Sequence, residues 1–135
     1  MFDPKRFVAA QDPVMGTVLA ELRAGRKRTH WMWFIFPQLR ALGRSERALF
    51  YGLADLSEAE AYLVHPVLGP RLVACTVAAM TGYPKTAFEI FGSPDNLKFR
   101  SCVTLFSCVA DAPEEFRRAL ELFFDGPDDA TLALL

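Results

Sequence analysis

Trp31-Met32-Trp33-Phe34-Ile35-Phe36 is the densest apolar run in the chain, closed by Pro37, and the architecture turns on whether it is strand or helix. Aromatic and β-branched residues favour a strand by propensity. A strand needs a partner for its backbone N–H and C=O groups, and no other segment keeps a period-2 alternation. The run therefore reads as a buried helical turn. Outward from it the apolar spacing is three and four. Val14, Val18 and Leu22 line one face, and Leu72, Val73, Thr76, Val77 and Met80 a second. Leu97, Cys102, Leu105 and Val109 line a third, and Phe116, Leu120, Phe123 and Phe124 a fourth.

Proline and glycine mark the ends of these segments. Asp3-Pro4, Asp12-Pro13 and Ser93-Pro94 each put a capping side chain before a proline that lacks the N–H a first turn would leave unpaired. Pro70, Pro113 and Pro127 start helices in the same way, and Gly25, Gly82, Gly92 and Gly126 follow apolar-periodic runs as stops. Ser57-Glu58-Ala59-Glu60 has the capping-box spacing. The expectation is an all-α fold, a compact single domain over residues 1–135 with about seven or eight short helices.

At 135 residues and 52% hydrophobic, the chain has enough apolar mass for a core without disulfides or metal, which excludes a disordered segment. A formal net charge of -1 excludes a generic polyanion binder. The 12 phenylalanines, 3 tyrosines and 2 tryptophans are a heavy aromatic load for one small domain. No apolar run has the length of a membrane span, and Asp3-Pro4 interrupts any signal-peptide pattern, so a cytoplasmic monomer is expected. Cys75, Cys102 and Cys108 are read as small buried thiols. With His30 and His65 far apart, neither a metal site nor a cofactor motif is expected.

Charge is uneven. Residues 23–47 carry seven basic side chains and one acid, Glu46, whereas residues 111–135 carry seven acids and two arginines. This is either a basic site for an anionic ligand or partner, or a basic segment folded against the acidic tail, or two solvated faces. Nucleic acid is disfavoured, because no helix-turn-helix spacing or RNA-binding aromatic motif is present.

Three segments set polar groups inside apolar surroundings. The first runs from Lys27 to Gln38: Lys27, Arg28 and His30 lead into Trp31 and Trp33, and Gln38 closes it. A cationic approach to an aromatic floor suits a planar anion such as a nucleotide, although core packing also accounts for the aromatics. The second contains His65, placed where the carbonyl end of a helix attracts a cation, and Arg71, a cation in a helix first turn that needs an anionic partner. The third holds Asp95, Lys98 and Ser101 at spacing three on one helical face, with Thr104 on the other side from Asp95. For chemistry, His30 with Asp95 is the acid–base pair to test first. Ser101 or a cysteine is the alternative nucleophile, with His30 or His65 as base.

The same stretches carry a family likeness. Arg6-Phe7 with Ala10-Gln11, the Lys27 to Gln38 run containing His30-Trp31-Met32-Trp33, Leu42-Gly43-Arg44-Ser45, Tyr51, Glu58-Ala59 with Tyr62-Leu63, His65-Pro66 with Leu68-Gly69 and Arg71-Leu72, Phe91-Gly92 with Asp95, Lys98 and Ser101, and Thr104-Leu105-Phe106 cover nearly the whole chain. They resemble a bacterial family of domains of unknown function whose members often carry the label calpastatin. The resemblance implies a small, mainly helical cytosolic domain and supplies no activity. Ala41 stands where the family usually has Gly, and Cys102-Val103 where it favours Ser and Met.

The functional expectation is a domain that binds a small anionic, nucleotide-like ligand, with or without hydrolase or transferase chemistry. Lys27, Arg28 and Lys98 would neutralise the anion and Trp31 and Trp33 would wall the pocket. Gln38, His65, Arg71, Ser101 and Thr104 would make polar contacts, and His30 and Asp95 would exchange protons. The alternative is a non-catalytic interaction module that presents the basic 23–47 segment to an acidic protein.

Overall fold

The structure is a computed structural model describing residues 2–135. Ten α-helices follow one another among the described residues: α1 (Lys5–Gln11), α2 (Met15–Arg23), α3 (Met32–Ile35), α4 (Glu46–Tyr51), α5 (Leu56–Val64), α6 (Leu68–Met80), α7 (Ala87–Phe91), α8 (Asp95–Ser107), α9 (Glu114–Phe123) and α10 (Asp129–Ala133). A 3-10 turn, Arg40–Leu42, lies between α3 and α4. The fold is all-α, as expected. The count exceeds the expected seven or eight because α3, α4, α7 and α10 have only four to six residues, too few to show a helical period. Among the described residues no single helix is long and apolar enough to cross a membrane.

The aromatic run forms the one-turn helix α3, and its burial follows the helical repeat. Trp31, Met32, Ile35 and Phe36 are buried, while Trp33 and Phe34 are half-buried. A strand would put Trp31 and Trp33 on one face. The turn separates them, sending Trp31 inward and Trp33 toward the surface.

Helix α8 is the spine of the core. From Ser101 to Phe106 every residue is buried, and α5, α7, α9 and α10 pack around it. A helical stretch buried on all sides must satisfy its own polar side chains. Thr104 does so by donating its hydroxyl to the Arg100 carbonyl at 2.7 Å, one turn back. Helix α6 packs on α2, α5 and α9, so α5 and α9 touch both long helices. The aromatic side chains fill two adjoining regions. Phe36, Phe91 and Phe99 meet with centroids 4.6–5.8 Å apart. Tyr62 contacts Phe7 at 5.1 Å and Phe106 at 5.4 Å. Edge-on and offset rings at these separations are the favoured aromatic geometry.

Several local expectations shift. Asp3 caps α1 through the Lys5 N–H at 3.0 Å, but Asp12 gives its carboxylate to Arg71 and leaves α2 without a side-chain cap. Ser93 makes no cap bond to α8. Helix α5 starts before Ser57: Asp55 accepts the Glu58 N–H, and Glu58 reaches back to the Ala54 N–H, so the Ser57–Glu60 box is displaced. The reciprocal box forms at Thr86 and Glu89 instead. Val77 and Leu97 point to solvent, 41% and 55% exposed, although the spacing put them on core faces. Cys75 and Cys102 are buried as expected, and Cys108 is exposed.

One irregular connection positions the candidate site. On either side of α4 the chain is extended, and Leu39 pairs with Leu53 in an isolated parallel bridge. Arg40 donates its backbone N–H to the Leu53 carbonyl at 2.7 Å and Leu53 donates to Gln38 at 3.0 Å. The two segments close through Gly52, where a methyl group would sit 2.5 Å from the Arg40 Cα and 2.7 Å from the Ala48 carbonyl oxygen. The bridge folds α4 back beside α3.

Candidate functional site

Glu21 organises the basic loop after α2. Its carboxylate accepts the backbone N–H groups of Arg28 (2.8 Å) and Thr29 (3.1 Å), the Thr29 hydroxyl (2.7 Å) and the Trp31 indole N–H (3.0 Å). Burial alone would raise its pKa. The four donors outweigh burial and hold it at about 2. Trp31 is thus a core residue, 1% exposed, with its indole N–H committed to Glu21.

Lys27 is anchored at both ends. Its backbone N–H donates to Ile90 at 2.7 Å, and its ammonium lies 2.9 Å from Asp95 and 5.1 Å from the centre of the Trp31 ring. With only 7% of the side chain exposed, its charge is absorbed inside the fold. Asp95, in the first turn of α8, also faces the Lys98 ammonium at 3.8 Å. Lys98 in turn lies 5.4 Å from the centre of the half-buried Trp33 ring, and the Arg47 guanidinium from α4 lies 5.0 Å from the same ring. Two cations therefore share one indole. Arg47 has no carboxylate or hydrogen-bond partner among the described residues, and Lys98 has only the longer contact to Asp95.

Trp33, Gln38, Tyr51 and Lys98 line a small cavity floored by Met32 and Phe36. Its free volume is about 10 Å³, room for one water-sized group. An open cleft of about 550 Å³ lies beside it, walled by Phe34, Phe50, Glu46 and Arg47. Tyr51 borders both. The Gln38 side-chain amide makes no hydrogen bond within the described chain and is available to a ligand. Among the described residues no group of three or more His, Cys, Asp and Glu is placed to hold a metal ion.

A family model described as a protein of unknown function (DUF1810) matches residues 1–135. The chain belongs to this family. The likeness read from the signature stretches therefore extends over the whole DUF1810 chain. Among solved structures it is similar to the conserved hypothetical protein Rv1873 from Mycobacterium tuberculosis, whose crystal structure was determined at 1.38 Å. The two are 52% identical with a TM-score of 0.96, covering 99% of this chain and 96% of that one. No curated protein matches.

The remaining sequence candidates of this DUF1810 protein lie in other contacts. His30 is exposed and makes no hydrogen bond or ion pair among the described residues, while Asp95 is engaged by its two lysines. Arg28 contributes its backbone N–H to Glu21 and leaves its side chain in solvent. His65 is the C-cap residue of α5, and its Nδ1 accepts the Val67 and Leu68 N–H groups at 3.1 and 3.3 Å at the start of α6. Arg71 bonds Asp12 at 2.8 Å and Gln11 at 3.4 Å. Gln11, buried, donates to the Phe34 carbonyl and the Tyr62 hydroxyl. Ser101 lies 3.1 Å from Asp128, and Thr104 accepts the Asp128 N–H at 2.9 Å, so both dock α10 onto α8. No ion pair joins residues 23–47 to residues 111–135 among the described residues: Lys27 finds Asp95, and Glu114 and Glu121 pair with arginines of their own helix.

Trp33, Gln38 and Lys98 were site candidates in the sequence, whereas Arg47 stood there only within the basic 23–47 segment, Tyr51 only in the family likeness, and Glu21 in neither. Arg47 and Tyr51 stand four residues apart, the spacing that places two side chains on one helical face. That signal was present, but α4 is too short for its face to be recognised without the bridge that folds it back.

Proposed function

We propose that this protein binds a small anionic, nucleotide-like molecule at the junction of α3, α4 and α8. The observation that carries the reading is the pair of cations, Arg47 and Lys98, held on one half-buried indole beside a cavity lined by an unengaged amide. Arg47 offers a planar fork suited to phosphate or carboxylate, Lys98 a compact ammonium, and Gln38 a neutral donor. The Trp33 face restrains both cations before the anion arrives, which reduces the ordering cost of binding. Lys27 and Asp95 act from behind, fixing the first turn of α8 from which Lys98 projects. Asp95 serves by holding two lysines, and binding is the whole of the proposed role.

Calorimetric titration with nucleoside monophosphates tests the reading. Saturable binding is expected to wild type, and a loss of about tenfold or more to Lys98→Ala and to Arg47→Ala, since a charge-assisted contact to an anion contributes about 1.5–3 kcal/mol. Wild-type protein that binds no phosphorylated compound contradicts it.

A second reading has its own observation. Arg23, Arg26, Arg28 and Arg44 are exposed and have no carboxylate partner among the described residues, a surface suited to an acidic protein. Binding to such a partner would weaken steeply with salt and depend on these arginines rather than on Lys98.

A further inference from the structure

We infer that the open cleft beside the cation pair seats a guanine base, which makes the ligand a guanine 5′-mononucleotide; this rests on the anion site proposed above. The cleft and that site adjoin at Tyr51, which borders both, and Arg47 lines the cleft with its guanidinium 5.0 Å from the centre of the Trp33 ring. A phosphate held by Arg47 therefore lies at the edge of the cleft that Arg47 lines, with the rest of its molecule at the cleft mouth. The volume of about 550 Å³ lies inside the range of small-molecule sites, roughly 300–1,000 Å³.

The walls select a flat aromatic body. Phe34 and Phe50 each contact Tyr51, with centroids 5.4 and 4.8 Å away, and Phe50 is 58% exposed. An aromatic side chain this open, on a six-residue helix whose neighbours line a cleft, offers ring surface for stacking beyond its contact with Tyr51.

Glu46 chooses among bases. Its carboxylate lines the same cleft and has no hydrogen-bond or ion-pair partner among the described residues, Arg47 included. An ionised carboxylate only accepts hydrogen bonds. Guanine presents two adjacent donors, N1–H and the 2-amino group, to two carboxylate oxygens. Adenine presents one amino donor beside a ring nitrogen whose lone pair would face the carboxylate. One cleft thus carries a cation for the phosphate and an acceptor for the base. A simple aromatic amino acid would satisfy Glu46 with its ammonium, but its single carboxylate makes a poorer match to two cations than a dianionic phosphate.

The test is calorimetric titration of GMP, AMP, inorganic phosphate and L-tyrosine into wild type, Glu46→Gln and Lys98→Ala, with circular dichroism to establish that each variant is folded. GMP is expected to bind about tenfold or more tightly than AMP, the discrimination typical of a paired polar contact to a base edge. Glu46→Gln should erase most of that preference, and Lys98→Ala should weaken both nucleotides alike. Equal affinity for GMP and AMP, a preference that survives in Glu46→Gln, GMP no tighter than phosphate, or tighter binding of tyrosine would each overturn the guanine assignment and leave the anion site standing. If neither nucleotide nor phosphate binds wild type, both readings fall.

Discussion

The Nζ of Lys27 lies 2.9 Å from Oδ2 of Asp95, joining the loop after α2 to the first turn of α8 with the lysine 7% and the aspartate 21% exposed. Removing the carboxylate leaves a largely desolvated ammonium without its counter-charge. Asp95→Asn is therefore expected to destabilise the protein by about 2 kcal/mol, lowering Tm by about 6–8 °C. Lys98→Ala, at a more exposed position that keeps the Lys27 pair, should cost less than about 1 kcal/mol. Urea titrations of the two variants measure the difference; equal stabilities would show that the pair is not a structural anchor.

How far the sequence leads can be judged on particular residues. The helical turn at Trp31–Phe36 was legible because an unpartnered strand is physically untenable, and from that turn follows the divergence of Trp31 and Trp33. The capping of α1 by Asp3 was legible because a cap acts within a few residues. Leu97 and Val77 were misjudged because a period defines a face without saying which neighbour will cover it. Asp12, Ser101 and Thr104 found partners about 24–60 positions away, contacts that only the packing of α10 and α6 creates. Within the candidate site, Trp33, Gln38 and Lys98 stood out as polar or amphipathic groups amid apolar runs. Arg47 and Tyr51 did not, since their helix has six residues and is positioned by a bridge between Leu39 and Leu53.

Glu21 gives the fold an acid-sensitive joint. Its folded pKa of about 2 is depressed from 4.5, so it contributes stability that is fully present above the unfolded value and lost as pH falls through the folded one. The window runs from about pH 5 down to 2, and the contribution is at most about 3 kcal/mol. Stability of the wild type is expected to drop across this window. Glu21→Gln should be less stable at neutral pH and flatter between pH 5 and 2, since it has no carboxylate to protonate. Parallel wild-type and variant profiles would show that the carboxylate is not what orders the 28–31 loop.

The three cysteines should separate by reactivity. Burial pushes the Cys75 thiol up to about 12 and raises Cys102 well above its ordinary value, while Cys108 is exposed. Because the thiolate is the reacting form, a disulfide-exchange reagent at pH 8 is expected to label Cys108 alone in native protein, and all three after unfolding. Rapid labelling of Cys75 or Cys102 without denaturant would mean that α6 and α8 open far more readily than their packing implies.

In the proposed site Arg47 and Lys98 hold an anion beside Trp33. The most direct measurement of this is the affinity of a nucleoside monophosphate for wild type and for Lys98→Ala at one salt concentration, with both proteins shown to be folded. Saturable one-to-one binding to wild type and a loss of about tenfold or more in the variant are expected. Absence of binding to wild type, or the same affinity with Lys98 removed, would contradict the proposed site.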